Sequence, residues 1–193
     1  NPAILVILMR LICWMVLQNS MTILKRNFSA IRDRYLIDAN VFITAHRKLY
    51  PFDLAPSFWE QLVEKAASRI VIIEEIQKEI RKGQDLLAEW YERECYKFTV
   101  LGIPEPEVIA AYRMIINSIN ANGQYTALAK REFASSADSW LCAYGLAFEG
   151  TIVTLETYDA GIKNRVKIPN VCRKFEIDYI DLLQFTREIG IKL

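Results

Sequence analysis

The chain has 193 residues, 52% of them hydrophobic and 24% charged, which suits one domain with a sizeable core and a short extension. A formal net charge of +1 excludes a protein that holds nucleic acid by global basicity. One histidine and the four scattered cysteines Cys13, Cys95, Cys142 and Cys172, with no CxxC spacing, exclude a structural zinc site and read as reduced thiols of a cytoplasmic protein.

The charge is uneven. Residues 1–34 carry +4 and the remaining residues −3. The extension over 1–34 opens with an apolar run, residues 3–17, interrupted only by Arg10, and continues as a basic connector. A membrane span needs about 20 apolar residues. This run is shorter and charged near its middle, and no positive charge precedes it as in a signal peptide. It is expected to pack on the body or on a partner rather than to cross a membrane. The domain proper is expected over 35–193.

Tyr35-Leu36-Ile37-Asp38 is a short apolar strand that ends in an acid. If the strand continued, Asp38 and Asn40 would share one face. Phe42 to Leu49 suits a short helix that Tyr50-Pro51-Phe52 breaks. Pro56 opens a helix with Phe58, Leu62, Val63 and Ala66 on its buried side. Arg69 to Ile73 is a strand apolar on both faces, as a central parallel strand is. A helix follows at once, with Glu74 and Glu75 in its first turn, and Gly83 stops it. Asp85 caps the next helix. Residues 97–102 suit a minor strand, and Pro104 starts a helix that Asn122-Gly123 closes. Gln124 to Arg131 adds one or two helical turns. Ser135-Ser136-Ala137-Asp138 is an N-cap signature before an apolar helix that ends at Gly150. Thr151 to Thr154 is a third core strand. Residues 167–172 are expected to be a loop, 175–179 a last strand, and 181–189 a last helix stopped by Gly190. The alternation predicts an α/β fold: a three-layer α/β/α sandwich around a central, mainly parallel twisted sheet.

Four acids fall at the edges of these elements: Asp38, Glu79, Asp138 and Glu156. Brought to one rim of the sheet, they could not all stay ionised unpaired, because like charges raise each other's pKa. A hard divalent ion such as Mg²⁺ or Mn²⁺ resolves this with oxygen ligands and waters. Such a site points to hydrolysis of a phosphodiester. Each acid also has an ordinary role open to it: Asp38 in a turn, Glu79 on a solvated helix face, Asp138 as a capping acid, Glu156 on a surface loop. Glu75 and Asp159 are the rivals of Glu79 and Glu156. Asn40 and Thr154 are placed to support the acids. His46 reads as a non-catalytic residue. No GxGxxG, GxxxxGKS or GxSxG pattern is present, which argues against dinucleotide, P-loop and α/β-hydrolase chemistry.

The segment Leu36-Ile-Asp-Ala-Asn-Val-Phe-Ile43 resembles the opening motif of PIN-domain nucleases. Glu79 within Ile76-Gln-Lys-Glu-Ile-Arg-Lys-Gly83, Ala137-Asp138 before Leu141 and Ala143, and Val153-Thr154-Leu155-Glu156 resemble their second, third and fourth acids in order. Tyr50-Pro51-Phe52, Phe58-Trp59, Trp90 and Lys167 to Cys172 are similar to a PIN subfamily without an assigned function. The match spans about residues 35–190. Two positions depart from the pattern: Ala39 stands where Thr or Ser is usual, and Glu156 where Asp is.

The resemblance implies a Mg²⁺- or Mn²⁺-dependent endoribonuclease in the cytoplasm, with Asp38, Glu79, Asp138 and Glu156 as catalytic metal ligands. It further implies the toxin of a bacterial toxin–antitoxin pair: RNA as substrate, a protein antitoxin as partner, and a homodimer. RNA phosphates would meet Arg47, Lys48, Lys130, Arg131 and Lys163. The alternatives are a catalytically silent RNA- or protein-binding module and a small phosphohydrolase with Asp38 as nucleophile.

Overall fold

Short β-branched runs make the strands and periodic apolar positions make the helices. In the computed structural model, which describes residues 34–102 and 104–193, β1 is Tyr35–Ile37, β2 Ile70–Ile73, β3 Thr99–Leu101, β4 Thr151–Val153 and β5 Tyr179–Ile180. Every pairing is parallel, in the order β3-β2-β1-β4-β5. All residues of β1 and β2 are buried, as the two-sided apolar runs require.

The helices are α1 (Ala39–Thr44, continued by a π-helical turn Ala45–Leu49), α2 (Pro56–Ala66), α3 (Glu74–Lys82), α4 (Leu86–Glu94), α5 (Pro106–Ala121), α6 (Ala127–Ser135), α7 (Ala137–Phe148), α8 (Ile168–Phe175) and α9 (Leu182–Glu188). Right-handed crossovers put the β1–β2 and β2–β3 connections on one face and the β3–β4 and β4–β5 connections on the other. The result is the expected three-layer α/β/α arrangement. One core layer joins Ile37 and Ile70 to Phe58, Leu62 and Phe185. On the opposite layer, α7 packs against α5 and β4.

Several local expectations change. Asp38 does not continue the strand: it is the N-cap of α1 and accepts a hydrogen bond from the Asn40 N–H, so Asn40 lies on a helix and the strand alternation stops at Ile37. Gly83 keeps a right-handed conformation, and the residue with positive φ is Gln84, at 48°. The helix expected from Pro104 begins at Pro106. The segment 167–172 is not a loop but most of α8, which begins at Ile168 with Pro169 in its first turn. That helix runs through Phe175, so the last strand shrinks to Tyr179–Ile180.

The extension over 1–34 lies outside the described residues except for Arg34, whose guanidinium donates to Thr99 Oγ1 at 3.0 Å. Among the described residues no helix is long and apolar enough to cross a membrane. Cys95, Cys142 and Cys172 are free thiols.

Candidate active site

The chain leaves β1 toward β2 on one side and leaves β4 toward β5 on the other, so the sheet reverses its winding between β1 and β4. The carboxyl ends of strands at such a switch point form a crevice, because the connections there diverge to opposite faces. Parallel register puts Ile37 beside Val153. The next residues, Asp38 and Thr154, therefore emerge together. The Asp38 N–H donates to the Val153 carbonyl at 3.0 Å, and the Thr154 N–H to the Ile180 carbonyl at 3.1 Å.

Asp38 is 1% exposed, and such burial of a carboxylate needs polar compensation. Thr154 Oγ1 donates to Asp38 Oδ2 at 2.9 Å, while the Asn40 N–H donates to Oδ1 at 3.2 Å. Thr154 is itself 1% exposed, and its hydroxyl oxygen accepts the Glu156 N–H at 3.2 Å. One hydroxyl thus links the first and fourth acids. It also supplies a hydroxyl beside Asp38 that Ala39, fully buried, does not. Asn40 contributes here through its backbone N–H.

Glu156 follows β4 and turns back over the crevice. Its Oε2 accepts the N–H of Ile168, in the first turn of α8, at 2.8 Å. Its Oε1 lies 2.5 Å from a terminal nitrogen of Arg165. Asp138 sits in the first turn of α7, 3.9 Å from the same Arg165 nitrogen. Ser136, the N-cap, does not close that turn by a side-chain bond: its hydroxyl donates back to the Phe133 carbonyl at 2.9 Å.

The electrostatics of these acids are set first by burial. Burial pushes Asp38 up to about 6, against the hydrogen bonds from Thr154 and Asn40 and with added repulsion from Glu156 and Glu79. Asp138 rises to about 7, first by burial and then by repulsion from Asp38, Glu156 and Glu79, opposed by Arg165. Glu79, exposed on α3, is raised by the partial burial of its carboxyl and drawn down by Lys82.

The rivals stand apart. Asp159 is exposed and accepts the Gly161 N–H at 2.9 Å, a local turn bond. The field of Glu75 acts on Tyr144, together with Glu105 and Glu74. His46 packs on Phe52, with ring centroids 4.8 Å apart. Of the basic residues expected to meet RNA, Arg47 pairs with Asp85 at 3.1 Å and Lys130 donates to the Asn120 carbonyl at 2.8 Å. Arg165, which does meet the acids, carried no sequence signal, because it stands in a loop and its partners are distant along the chain.

A hard cation fits the chemistry of the donors: all are oxygens, and the Asp38 and Asp138 carboxyls are raised by burial with repulsion from neighbouring acids added. Among the described residues no three His, Cys, Asp or Glu side chains converge to hold an ion by themselves. An ion bound here would take one or two of these carboxylates and complete its shell with waters, as Mg²⁺ does. Beside the acids lies a cleft of about 380 Å³ whose walls include Phe133, Ser136, Asp138, Asn164 and Arg165.

The family model described as "Domain of unknown function (DUF4411)" matches residues 35–193. Among solved structures, the chain is similar to "Crystal structure of VapBC2 from Rickettsia felis bound to a DNA fragment from their promoter". Sequence identity is 13% and the TM-score 0.48, over 76% of this chain and 97% of that chain. No curated protein matches.

Proposed function

The chain belongs to the family described as a domain of unknown function, DUF4411, and for this member we propose a divalent-metal-dependent endoribonuclease, the toxin of a toxin–antitoxin pair. The observation that carries the reading is the cluster of buried acids at the switch point: Asp38 and Asp138, a hundred residues apart, are each raised first by burial and further by Glu156 and Glu79. A fold does not keep such a cluster for its stability, because each ionised acid there weakens the folded state. A cation ligand gives the cluster a use. The order and flanks of the four acids, which resemble those of PIN-domain nucleases, support RNA as the substrate and an antitoxin as the partner.

In this reading Asp38 and Asp138 are the main ligands of Mg²⁺ or Mn²⁺, and Glu79 and Glu156 complete the acidic site. A bound divalent ion supplies an activated water and stabilises charge on the phosphodiester. The chain's own residues hold that arrangement. Thr154 fixes the Asp38 carboxylate by its hydroxyl. The Ile168 N–H fixes one oxygen of Glu156 and leaves the other facing the site. The buried floor under Asp38 keeps bulk water from screening the charges. The cleft beside Asp138 gives an RNA strand access from one side.

The deciding experiment is cleavage of a mixed single-stranded RNA pool with Mg²⁺, with Mn²⁺ and with EDTA. Wild type is compared with Asp38→Asn and Asp138→Asn. Metal-dependent cleavage that both substitutions remove is expected. Folded wild type that neither cleaves RNA nor binds a divalent ion would sink the reading in favour of a binding module. A covalent phosphate trapped on Asp38 would replace it with a phosphohydrolase.

A further inference from the structure

At the switch point one guanidinium stands beside two of the four acids. Arg165 comes from the loop between β4 and α8, three residues before Ile168. The same terminal nitrogen lies 2.5 Å from Glu156 Oε1 and 3.9 Å from Asp138 Oδ2, so it stands between acids supplied by two separate segments. Guanidinium usually meets a carboxylate through a flat fork of two directed hydrogen bonds. Here only one guanidinium nitrogen reaches Glu156, at a single carboxylate oxygen, and its reach to Asp138 is longer, so neither acid receives the two-pronged fork. The other oxygen of Glu156, by contrast, has a directed bond from Ile168. The Arg165 side chain is 54% exposed and lines the cleft. It can leave the acids without unpacking any core residue.

From this geometry we infer that Arg165 is an internal counter-ion that occupies the cation position between Asp138 and Glu156, so that the guanidinium and a divalent ion exclude each other. The inference rests on the metal-site reading of the acids and adds a regulator to it. By linkage, whatever Arg165 contributes to the metal-free site is subtracted from the site's affinity for the ion. Displacement also frees a cation at the edge of the cleft as the acids take up the metal.

The test is calorimetric titration of the full chain with Mn²⁺, comparing wild type, Arg165→Gln and Arg165→Lys, together with thermal unfolding in EDTA and at saturating Mn²⁺. Arg165→Gln is expected to bind Mn²⁺ on the order of tenfold more tightly, the size of one lost charge contact in a partly buried site. Arg165→Lys falls between it and wild type, because an ammonium keeps the charge but reaches one carboxylate at a time. In EDTA the Gln variant melts lower than wild type, and the difference closes at saturating Mn²⁺. Equal or weaker Mn²⁺ binding by Arg165→Gln, with wild-type binding intact, overturns the counter-ion role and leaves the nuclease reading standing. Absence of Mn²⁺ binding in wild type and variant alike overturns both. Should Arg165→Gln lose its folded circular dichroism spectrum, the Lys variant decides: tighter binding than wild type supports the role, and equal or weaker binding overturns it.

Discussion

Asp38 is a charged group held out of water. Its carboxyl is buried at the end of β1, and the two hydrogen bonds it accepts do not offset the loss of water, so its pKa stands at about 6. Asp138 stands at about 7. Unfolded carboxyls of this type titrate near 3.9. The folded state therefore binds protons that the unfolded state has already released, and stability falls as pH rises from about 4 through about 7. Asn at either position keeps the shape and removes the charge. Asp38→Asn and Asp138→Asn are each expected to raise the melting temperature of the metal-free protein at pH 7.5 while abolishing divalent-ion binding. A lowered melting temperature in both would contradict the burial argument. Thr154→Val tests the link between acids: it removes the donor to Asp38 and the acceptor of the Glu156 N–H at once. Each buried group left unsatisfied costs about 1–3 kcal/mol. Denaturant unfolding should show a loss in that range, with the Asp38 pKa moving further upward in a carboxyl-detected titration.

At the scale of elements, the position of α7 decides where Asp138 stands. Gly145 lets that helix lie close to the sheet. A Cβ there would come within 2.9 Å of Ile177 Cγ2 and 3.0 Å of Ile152 Cδ1. The β-branched Ile177 has little rotamer freedom with which to yield. Gly145→Val should therefore cost about 2–3 kcal/mol of stability by overpacking and weaken Mn²⁺ binding as α7 is levered away. Unfolding and calorimetry of the same variant check both. Helix α8 shows how far sequence reading reached among the elements. Ile168, Val171, Cys172 and Phe175 fall at helical spacing, with Pro169 in the first turn, a pattern open to a sequence reader. Yet eight residues make a helix that is marginal alone, and it forms here because its buried Ile168, Val171 and Cys172 pack toward α7. The apolar run of β1 and the β-branched runs of β2 and β4, in contrast, announced themselves, since their stability lies largely in burial. The positive φ at Gln84 left no trace in its residue type.

For the whole domain, the proposed metal site makes protons and divalent ions competitors for the same carboxylates. Metal affinity should climb steeply between pH 5 and pH 8, as Asp38 and Asp138 release their protons, and binding should be accompanied by proton release in buffers of differing ionisation enthalpy. A saturating ion should also reverse the pH trend of stability, because a ligand at 100 times its Kd adds about 2.7 kcal/mol to the folded state. Melting curves at pH 5 and pH 8, with EDTA and with Mn²⁺, check both. Mn²⁺ should raise the melting temperature at pH 8 more than at pH 5, and an equal rise at both would contradict the coupling.

The layered α/β class and the strand cores were legible along the chain, because apolar periodicity is a local pattern, and the four acids with Asn40 and Thr154 stood out only as candidates at the ends of elements. Convergence was not. Asp38 reaches Thr154 only through the register of β1 on β4, Glu156 is anchored by the first turn of a helix that reads as a loop, and Arg165 finds its two acids by folding alone. Local sequence records which residues suit a strand, a helix or a ligand. Which charges face one another depends on parallel pairing and helix packing between segments a hundred residues apart, and that is where the chemistry of this site is set.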